Sequence, residues 1–89
     1  MFKLVLTRVF EKSYSRLSKQ NQRAVDSKLQ ILASDPSYPS LRTQKIKRLI
    51  GNRDGDVFES SVNMSIRILW RYEGSEIILL ENVGHHDIL

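Results

Sequence analysis

The chain has 89 residues, 40% of them hydrophobic, and carries a formal net charge of +4 with no cysteine. This length leaves room for one hydrophobic core, so we expect residues 1–89 to form a single domain, and the lack of cysteine excludes disulfides and thiolate metal sites. The longest apolar run, residues 77–80, has four residues. It argues against a signal peptide or a membrane span and favours a cytoplasmic protein.

Positive charge is concentrated in the first part of the chain. Residues 1–53 contain 12 of the 14 Lys and Arg residues but only three of the ten acidic residues, and residues 41–53 contain five basic residues and no acid. Such a stretch attracts a polyanion or an acidic protein segment, although any single lysine in it is most simply a solvated surface residue. We therefore expect an anionic partner for this part of the chain.

The first half of the sequence predicts a strand followed by two helices. Apolar residues alternate over residues 2–7, as in a strand. Thr7 and Ser18 are suited to cap two helices, in each of which apolar residues recur at helical spacing. The Asp35-Pro36 pair ends the second helix, because the residue before a proline avoids the helical conformation. We expect a helical hairpin hinged near Ser18.

The second half predicts mainly strands. Residues 41–50 alternate weakly and leave two alternatives open, an edge strand or an irregular basic loop, and residues 51–55 have the composition of a turn. Residues 57–62 and 65–72 predict two strands, whereas residues 77–83 are apolar on both faces, as in a central strand. The order β-α-α-β-β-β predicts an α+β fold with the helical hairpin packed on one face of a small, antiparallel-rich sheet.

Arg67 is the first candidate for a chemical role. Period-two alternation places Ile66 on one face of its strand and Arg67 and Arg71 on the other. A guanidinium on an open sheet face can bind a phosphate and stabilise the extra charge of a pentacoordinate transition state. The alternative is a surface arginine that pairs with Glu59 or Glu81 across strands.

The only two histidines, His85 and His86, follow the predicted central strand. Imidazole titrates near neutral pH, so a histidine at this strand end is suited to proton transfer, but a structural or surface role is the simpler alternative. Neighbours in an extended chain point to opposite sides, so at most one of the two faces a given site. Cleavage of RNA without a metal needs a base and an acid, and Glu59 and Asp87 are candidates for the second group.

Other motifs are absent from the sequence. It has no phosphate-binding glycine loop, no nucleophile elbow, no dinucleotide fingerprint and no helical histidine pair, so we expect neither a cofactor nor a metal ion. Tyr38 lies in a predicted loop, where its ring either stacks on a nucleotide base or is simply half-buried. The aromatic residues of the predicted strands and first helix are most simply core residues.

Two segments together resemble the RelE/ParE superfamily of bacterial toxins. They read Arg67-Ile-Leu-Trp-Arg-Tyr and, after a turn, Glu76-Ile-Ile-Leu-Leu-Glu-Asn-Val-Gly-His-His-Asp. The earlier Lys47-Arg-Leu-Ile-Gly is similar to the basic segment that precedes a glycine turn in that family. The predicted order of elements covers nearly the whole chain and matches the family's fold.

The resemblance implies a toxin of a type II toxin–antitoxin system, forming a hetero-oligomer with a cognate antitoxin that the charge pattern predicts to be acidic. RelE-like members are endoribonucleases that cut messenger RNA at the ribosome, next to 16S rRNA. The resemblance places Arg67 at the scissile phosphate and His86, or else His85, at the C-terminal catalytic position. The residues expected to contact RNA are Lys45, Lys47, Arg48, Arg53 and Arg71. Two alternatives stay open: a ParE-like, non-enzymatic inhibitor of DNA gyrase, and an inactive remnant that binds only its antitoxin.

Overall fold

A computed structural model of the chain describes residues 1–46 and 56–86. Its elements are strand β1 (Lys3–Leu6), helices α1 (Arg8–Ser15) and α2 (Lys19–Ser34), a short 3-10 helix (Pro39–Leu41), and strands β2 (Gln44–Ile46), β3 (Val57–Ser61), β4 (Ile66–Glu73) and β5 (Ile77–His85). The expected α+β fold is confirmed. The structure adds one short strand, β2, to the expected order, and so favours the edge-strand alternative for the described part of residues 41–50.

Both helices begin at the predicted caps. The side-chain oxygen of Thr7 accepts a hydrogen bond from the backbone N–H of Phe10, and that of Ser18 accepts one from Asn21, each at 3.1 Å. These bonds satisfy N–H groups that have no partner within the helix. Helix α2 ends directly before the Asp35-Pro36 pair, as the sequence predicted.

The five strands form one mixed sheet in the order β1-β5-β4-β3-β2. Strand β1 is parallel to β5, and the other neighbours are antiparallel. Strand β5 therefore lies between two strands, in agreement with its apolar sequence, and it contains a bulge because Leu69 pairs with Asn82 but Trp70 pairs with Leu80. The hydroxyl of Thr7 donates to the carbonyl oxygen of Leu80 at 2.8 Å and holds the end of β1 at this bulge.

The hydrophobic core lies between the helical hairpin and one face of the sheet, here called the helix face. It is built from the buried side chains of Phe10, Val25, Leu32, Leu41, Val62, Ile66, Ile68, Trp70, Ile78, Leu80 and Val83. The opposite face, here called the second face, carries Glu59, Ser61, Arg67, Leu69, Arg71 and Leu79. This division confirms the predicted alternation in β4, with Ile66 and Arg67 on opposite faces.

A chain of hydrogen bonds inside the helix face fixes the loop that leads into β2. The indole N–H of Trp70 donates to the hydroxyl of Ser60 at 2.8 Å, and the hydroxyls of Ser60 and Thr43 are 2.7 Å apart. The hydroxyl of Thr43 donates its proton to the carbonyl oxygen of Pro36 at 3.1 Å, so Ser60 is the donor to Thr43. The polar groups buried around Trp70 thereby connect β4, β3 and the loop.

Candidate functional site

Arg67 lies in the middle strand of the sheet, on the second face. It pairs with Ser61 in β3 and with Gly84 in β5. Its side chain is half-buried, and Nη1 donates to the carbonyl oxygens of Asn63 at 2.6 Å and Ile66 at 3.1 Å. Within residues 1–46 and 56–86 no acceptor binds the Nη2 and Nε protons of the guanidinium, so they can serve another acceptor.

Arg67 lines a pocket of about 330 Å³ at the end of the sheet where β3 turns into β4, here called the Arg67 pocket. Its described lining residues are Ser40, Arg42, Ser61, Val62, Asn63, Met64 and Arg67. An anion in this pocket would meet guanidinium groups from two separate elements and hydroxyl groups from two serines. Such a set of donors suits a phosphate, which accepts several charge-assisted hydrogen bonds at once.

The turn between β3 and β4 is ordered by Asn63. Its side-chain oxygen accepts hydrogen bonds from the backbone N–H groups of Ser65 and Ile66, both at 2.9 Å. Because the carbonyl oxygen of the same residue accepts from Arg67, this turn also positions the guanidinium at the pocket. Asparagine is common in such turns, since its side chain replaces a backbone acceptor.

The register of β4 and β5 separates the two histidines. His85 pairs with Ile66 and therefore lies on the helix face, opposite to Arg67. The backbone N–H of His86 donates to the carbonyl oxygen of Ser65 at 2.8 Å. This bond continues the ladder, so the register position of His86 is on the same face as Arg67, as its diagonal neighbour at roughly 7–8 Å. Both histidines are exposed, and neither is among the described residues that line the Arg67 pocket.

Glu59 shares the second face with Arg67 and is half-buried. It pairs with Leu69 in β4, which makes it a diagonal neighbour of Arg67 in β3. Among the described residues no ion pair joins the two side chains, so the cross-strand salt bridge considered for Arg67 and Glu59 is not formed. The carboxylate therefore shares the face of the arginine without an ion pair to it.

The expected RNA-binding residues fall into three groups. Lys45 in β2 pairs with Phe58 and lies on the helix face, where its ammonium group forms an exposed 3.3 Å ion pair with Asp56. Arg71 lies on the second face, and its buried Nε has no hydrogen-bond partner within residues 1–46 and 56–86. Lys47, Arg48 and Arg53, together with Asp87, lie outside the described residues.

Sequence reasoning missed Arg42, which the structure brings to Arg67. Arg42 belongs to the basic stretch at residues 41–53, but nothing in its spacing distinguished it from its basic neighbours. In the structure it follows the 3-10 helix, is exposed, and forms no ion pair with a described residue. Only the fold, which places the loop before β2 next to the end of β3, brings the two arginines to one pocket.

The described part of the chain contains neither a metal-binding cluster nor a membrane-spanning helix. No group of three or more His, Asp or Glu residues within it is arranged to hold a metal ion. No helix within it is long and apolar enough to cross a membrane.

The sequence matches no known family profile and no curated protein. The structure, by contrast, has the fold of known bacterial and archaeal toxins. It is similar to the RelE–RelB complex from Pyrococcus horikoshii, with a TM-score of 0.74 and 16% identity over 99% of this chain and 98% of that chain.

Two further solved structures agree with this result. The YoeB/ParE toxin from Agrobacterium tumefaciens has a TM-score of 0.75 and 17% identity, over 96% of this chain and 99% of that one. The DinJ–YafQ toxin–antitoxin complex from E. coli has a TM-score of 0.71 and 13% identity, over 99% of this chain and 96% of that one. The resemblance to RelE/ParE toxins seen in the sequence is thus confirmed for the fold.

Proposed function

We propose that the chain is the toxin of a type II toxin–antitoxin system and that it cuts messenger RNA at the ribosome without a metal ion. The observation that carries the proposal is the Arg67 pocket, which two arginines and two serines line, together with the register position of His86 on the same face of the sheet as Arg67. The fold supports it, since the same fold occurs in RelE, YoeB and YafQ toxins, some of them solved with an antitoxin.

In the proposed reaction the 2′-oxygen of the RNA forms a bond to the adjacent phosphorus while the bond from phosphorus to the 5′-oxygen breaks. Arg67 binds the phosphate through its free N–H groups and stabilises the charge that develops on the pentacoordinate phosphorus. His86 takes the proton of the 2′-hydroxyl or supplies one to the leaving 5′-oxygen. Glu59, half-buried on the same face, is the candidate for the other proton transfer. His85 lies on the opposite face and is the less favoured histidine.

The remaining expected contacts belong to the same proposal. Lys45, Arg71 and the basic residues 47, 48 and 53 bind the phosphates of messenger RNA or 16S rRNA, in the cytoplasm. An acidic antitoxin binds these basic residues and forms a hetero-oligomer with the chain, as the RelE–RelB and DinJ–YafQ complexes suggest. Charge supports both partners, since residues 1–53 hold 12 basic residues and only three acidic ones.

Expression of the chain alone in bacteria tests the proposal. Arg67→Ala should abolish growth inhibition and lower the rate of transcript cleavage by about 100-fold or more, because a preorganised donor to the transition state is lost. Arg23→Ala is the matched control, since it removes the same charge from the exposed surface of α2 and should leave cleavage unchanged. Cleavage at the wild-type rate in the Arg67 variant would contradict the mechanism.

A second candidate function is non-enzymatic inhibition of DNA gyrase, because one structure with this fold is a YoeB/ParE toxin. It requires intact transcripts, altered DNA supercoiling and sensitivity to substitution of Arg16 or Arg23, both exposed on the helical hairpin. A remnant that binds only its antitoxin would not inhibit growth at all. Transcript ends, translation and supercoiling, followed in the same cultures, separate the three functions.

A further inference from the structure

A second pocket lies on the helix face, on the opposite side of the loop before β2 from the Arg67 pocket. It has a volume of about 390 Å³ and is here called the aromatic pocket. One wall is formed by the loop before β2, with Tyr38, Pro39 and Arg42. The other wall is formed by aromatic residues of β3 and β4, namely Phe58, Trp70 and Tyr72. Arg42 lines both this pocket and the Arg67 pocket. The two pockets therefore share one lining residue, Arg42.

In the aromatic pocket the rings of Phe58, Trp70 and Tyr72 pack against one another, and Tyr72 stays partly exposed while Trp70 is buried. Tyr72 makes edge-on contacts with Phe58 and Trp70, with ring centroids 5.6 and 5.0 Å apart, and Phe58 stacks on Trp70 at 4.7 Å. Tyr72 was expected in the core, yet it remains 41% exposed, and Tyr38 across the pocket is 48% exposed. Within residues 1–46 and 56–86 neither tyrosine hydroxyl forms a hydrogen bond. Fixed, accessible rings of this kind are suited to stack on a planar ligand.

The wall that carries Tyr38 and Arg42 is equally well anchored. Leu41, between them, is completely buried, and Thr43 is tied to Ser60 and to the carbonyl oxygen of Pro36. Little ordering is therefore needed when a ligand enters, which lowers the entropic cost of binding.

Charge identifies the kind of ligand. Arg42 is the charged residue among those lining the aromatic pocket, and no described residue neutralises it. Lys45 lies on the same face as Phe58 by its register, but its ammonium group is paired with Asp56. A planar, apolar surface next to the positive charge of Arg42 fits a nucleotide base with its phosphate.

We propose that the aromatic pocket binds one base of single-stranded RNA, while Arg42 binds the phosphate linking this nucleotide to the one held at Arg67. The RNA strand then passes from the helix face to the second face, with one nucleotide bound on each face of the sheet. This inference rests on the proposed function, and it adds a base-binding subsite and a residue, Arg42, that connects the subsite to the cleavage site.

Trp70 is the only tryptophan and lies in the aromatic pocket, so its fluorescence reports directly on occupancy. The full-length protein is titrated with a 2′-O-methyl hexaribonucleotide, which lacks the attacking hydroxyl and is not cleaved. We expect a saturable change in fluorescence, and we expect it to disappear when one particular nucleotide of the hexamer is replaced by an abasic unit. Because the backbone phosphates are kept, the loss at one position identifies the base as the ligand of the pocket.

Variants test the assignment of residues. Tyr38→Ala and Tyr72→Ala should each weaken binding by roughly 5- to 150-fold, the usual range for loss of one stacked base, whereas Tyr72→Phe keeps the ring and should bind as the wild type does. Arg42→Ala should reduce the slope of log K against log salt by about 0.7, as expected for one phosphate contact to a single strand. Tyr38 is an exposed loop residue, so its variant tests the subsite even if the Tyr72 variant does not fold.

Two results would overturn the inference: no fluorescence change with the hexamer, or wild-type affinity in both alanine variants. A change produced by the antitoxin and not by RNA would assign the pocket to a protein segment and equally overturn it. The proposed function is tested separately. If RNA is cleaved although no base binds in the aromatic pocket, the proposed nuclease activity stands and the base-binding subsite is wrong. If a base binds but no RNA is cleaved, the subsite stands and the proposed nuclease activity is wrong.

Discussion

At the scale of single residues, Arg42 has an unusual backbone. Its φ of 46° lies in the left-handed region, and within residues 1–46 and 56–86 it is the only residue other than glycine with a positive φ. This conformation costs a residue with a Cβ atom roughly 1–2 kcal/mol. Its N–H closes the 3-10 helix on the carbonyl oxygen of Pro39 at 3.1 Å, so the strained turn directs the arginine to the two pockets.

This strain predicts a conflict between stability and function at position 42. Arg42→Gly should be more stable to urea than Arg42→Ala by about 1 kcal/mol, because glycine adopts positive φ without a steric penalty. Both variants lack the guanidinium, so both should lose the same fraction of RNA affinity. Equal stability of the two variants would show that the turn is not strained.

The hydroxyl of Ser60 should be essential for the packing of the loop. Ser60→Ala leaves the buried indole N–H of Trp70 without an acceptor and should lower the free energy of unfolding by about 1–3 kcal/mol. Ser61→Ala, one residue later on the second face, is the control and should change stability by roughly 0.5 kcal/mol or less. Urea denaturation followed by tryptophan fluorescence compares the two, and similar losses would argue against the hydrogen-bonded chain.

The periodicity of the strands predicts on which face of the sheet a residue lies, but not which residues of different elements share a pocket. The alternation of apolar and polar residues predicts that Arg67 lies on the face away from the helices. It also predicts that at most one of the two histidines shares that face. It could not choose between His85 and His86, because a shift of one residue in register exchanges them. Arg42 was missed because it lines the same pocket as Arg67 only as a result of the pairing of β2 with β3. The spacing of residues along the sequence does not predict that pairing.

At the scale of elements, a hydrogen bond between two side chains joins the two helices. The hydroxyl of Tyr14 in α1 donates to the carboxylate of Asp26 in α2 at 2.7 Å. This hydrogen bond, with smaller contributions from burial and from the negative charge of Asp26, raises the pKa of Tyr14 in the folded protein. The folded state therefore holds this proton more tightly than the unfolded chain does.

The sign of this shift predicts an alkaline loss of stability. The contribution of Tyr14 is fully present below the tyrosine pKa of the unfolded chain, about 10, and is lost as the pH rises through the higher folded value. Tyr14→Phe should lower the free energy of unfolding by about 0.5–1.5 kcal/mol at neutral pH. We expect a value at the lower end of this range, because water can replace the lost hydrogen bond. Urea titrations from pH 8 to 11 should show the wild type and the variant converging, and a constant difference would contradict the assignment.

Elements with strong local signals were predicted well. Both helices were recognised from caps and apolar spacing, and the long strands β4 and β5 from alternation and apolar runs. The three-residue strand β2 stayed ambiguous, because its conformation is fixed by hydrogen bonds to β3 and not by its own residues. The bulge in β5 was not predicted, since it follows from the register with β4 and the contact with Thr7.

At the scale of the whole molecule, charge and fold are arranged for a polyanionic partner. Residues 1–53 hold 12 of the 14 basic residues, and the fold places Arg42 from this part next to Arg67 from the other. We expect the affinity for RNA to fall steeply with salt, with a slope in log K of about −0.7 for each neutralised phosphate. Fluorescence titration between 50 and 200 mM salt measures the slope, and a flat profile would contradict an electrostatic interface.

The central claim is that Arg67 and one histidine act together on a phosphate at the second face. It is tested most directly by the single-turnover cleavage rate of ribosome-bound messenger RNA with the purified protein and two neighbouring variants. His86→Ala should slow cleavage by about 100-fold or more, as expected when a general acid or base is removed, while His85→Ala, on the opposite face, should cleave nearly as fast as the wild type. Equal rates for His86→Ala and wild type, or a loss only in the His85 variant, would contradict the account.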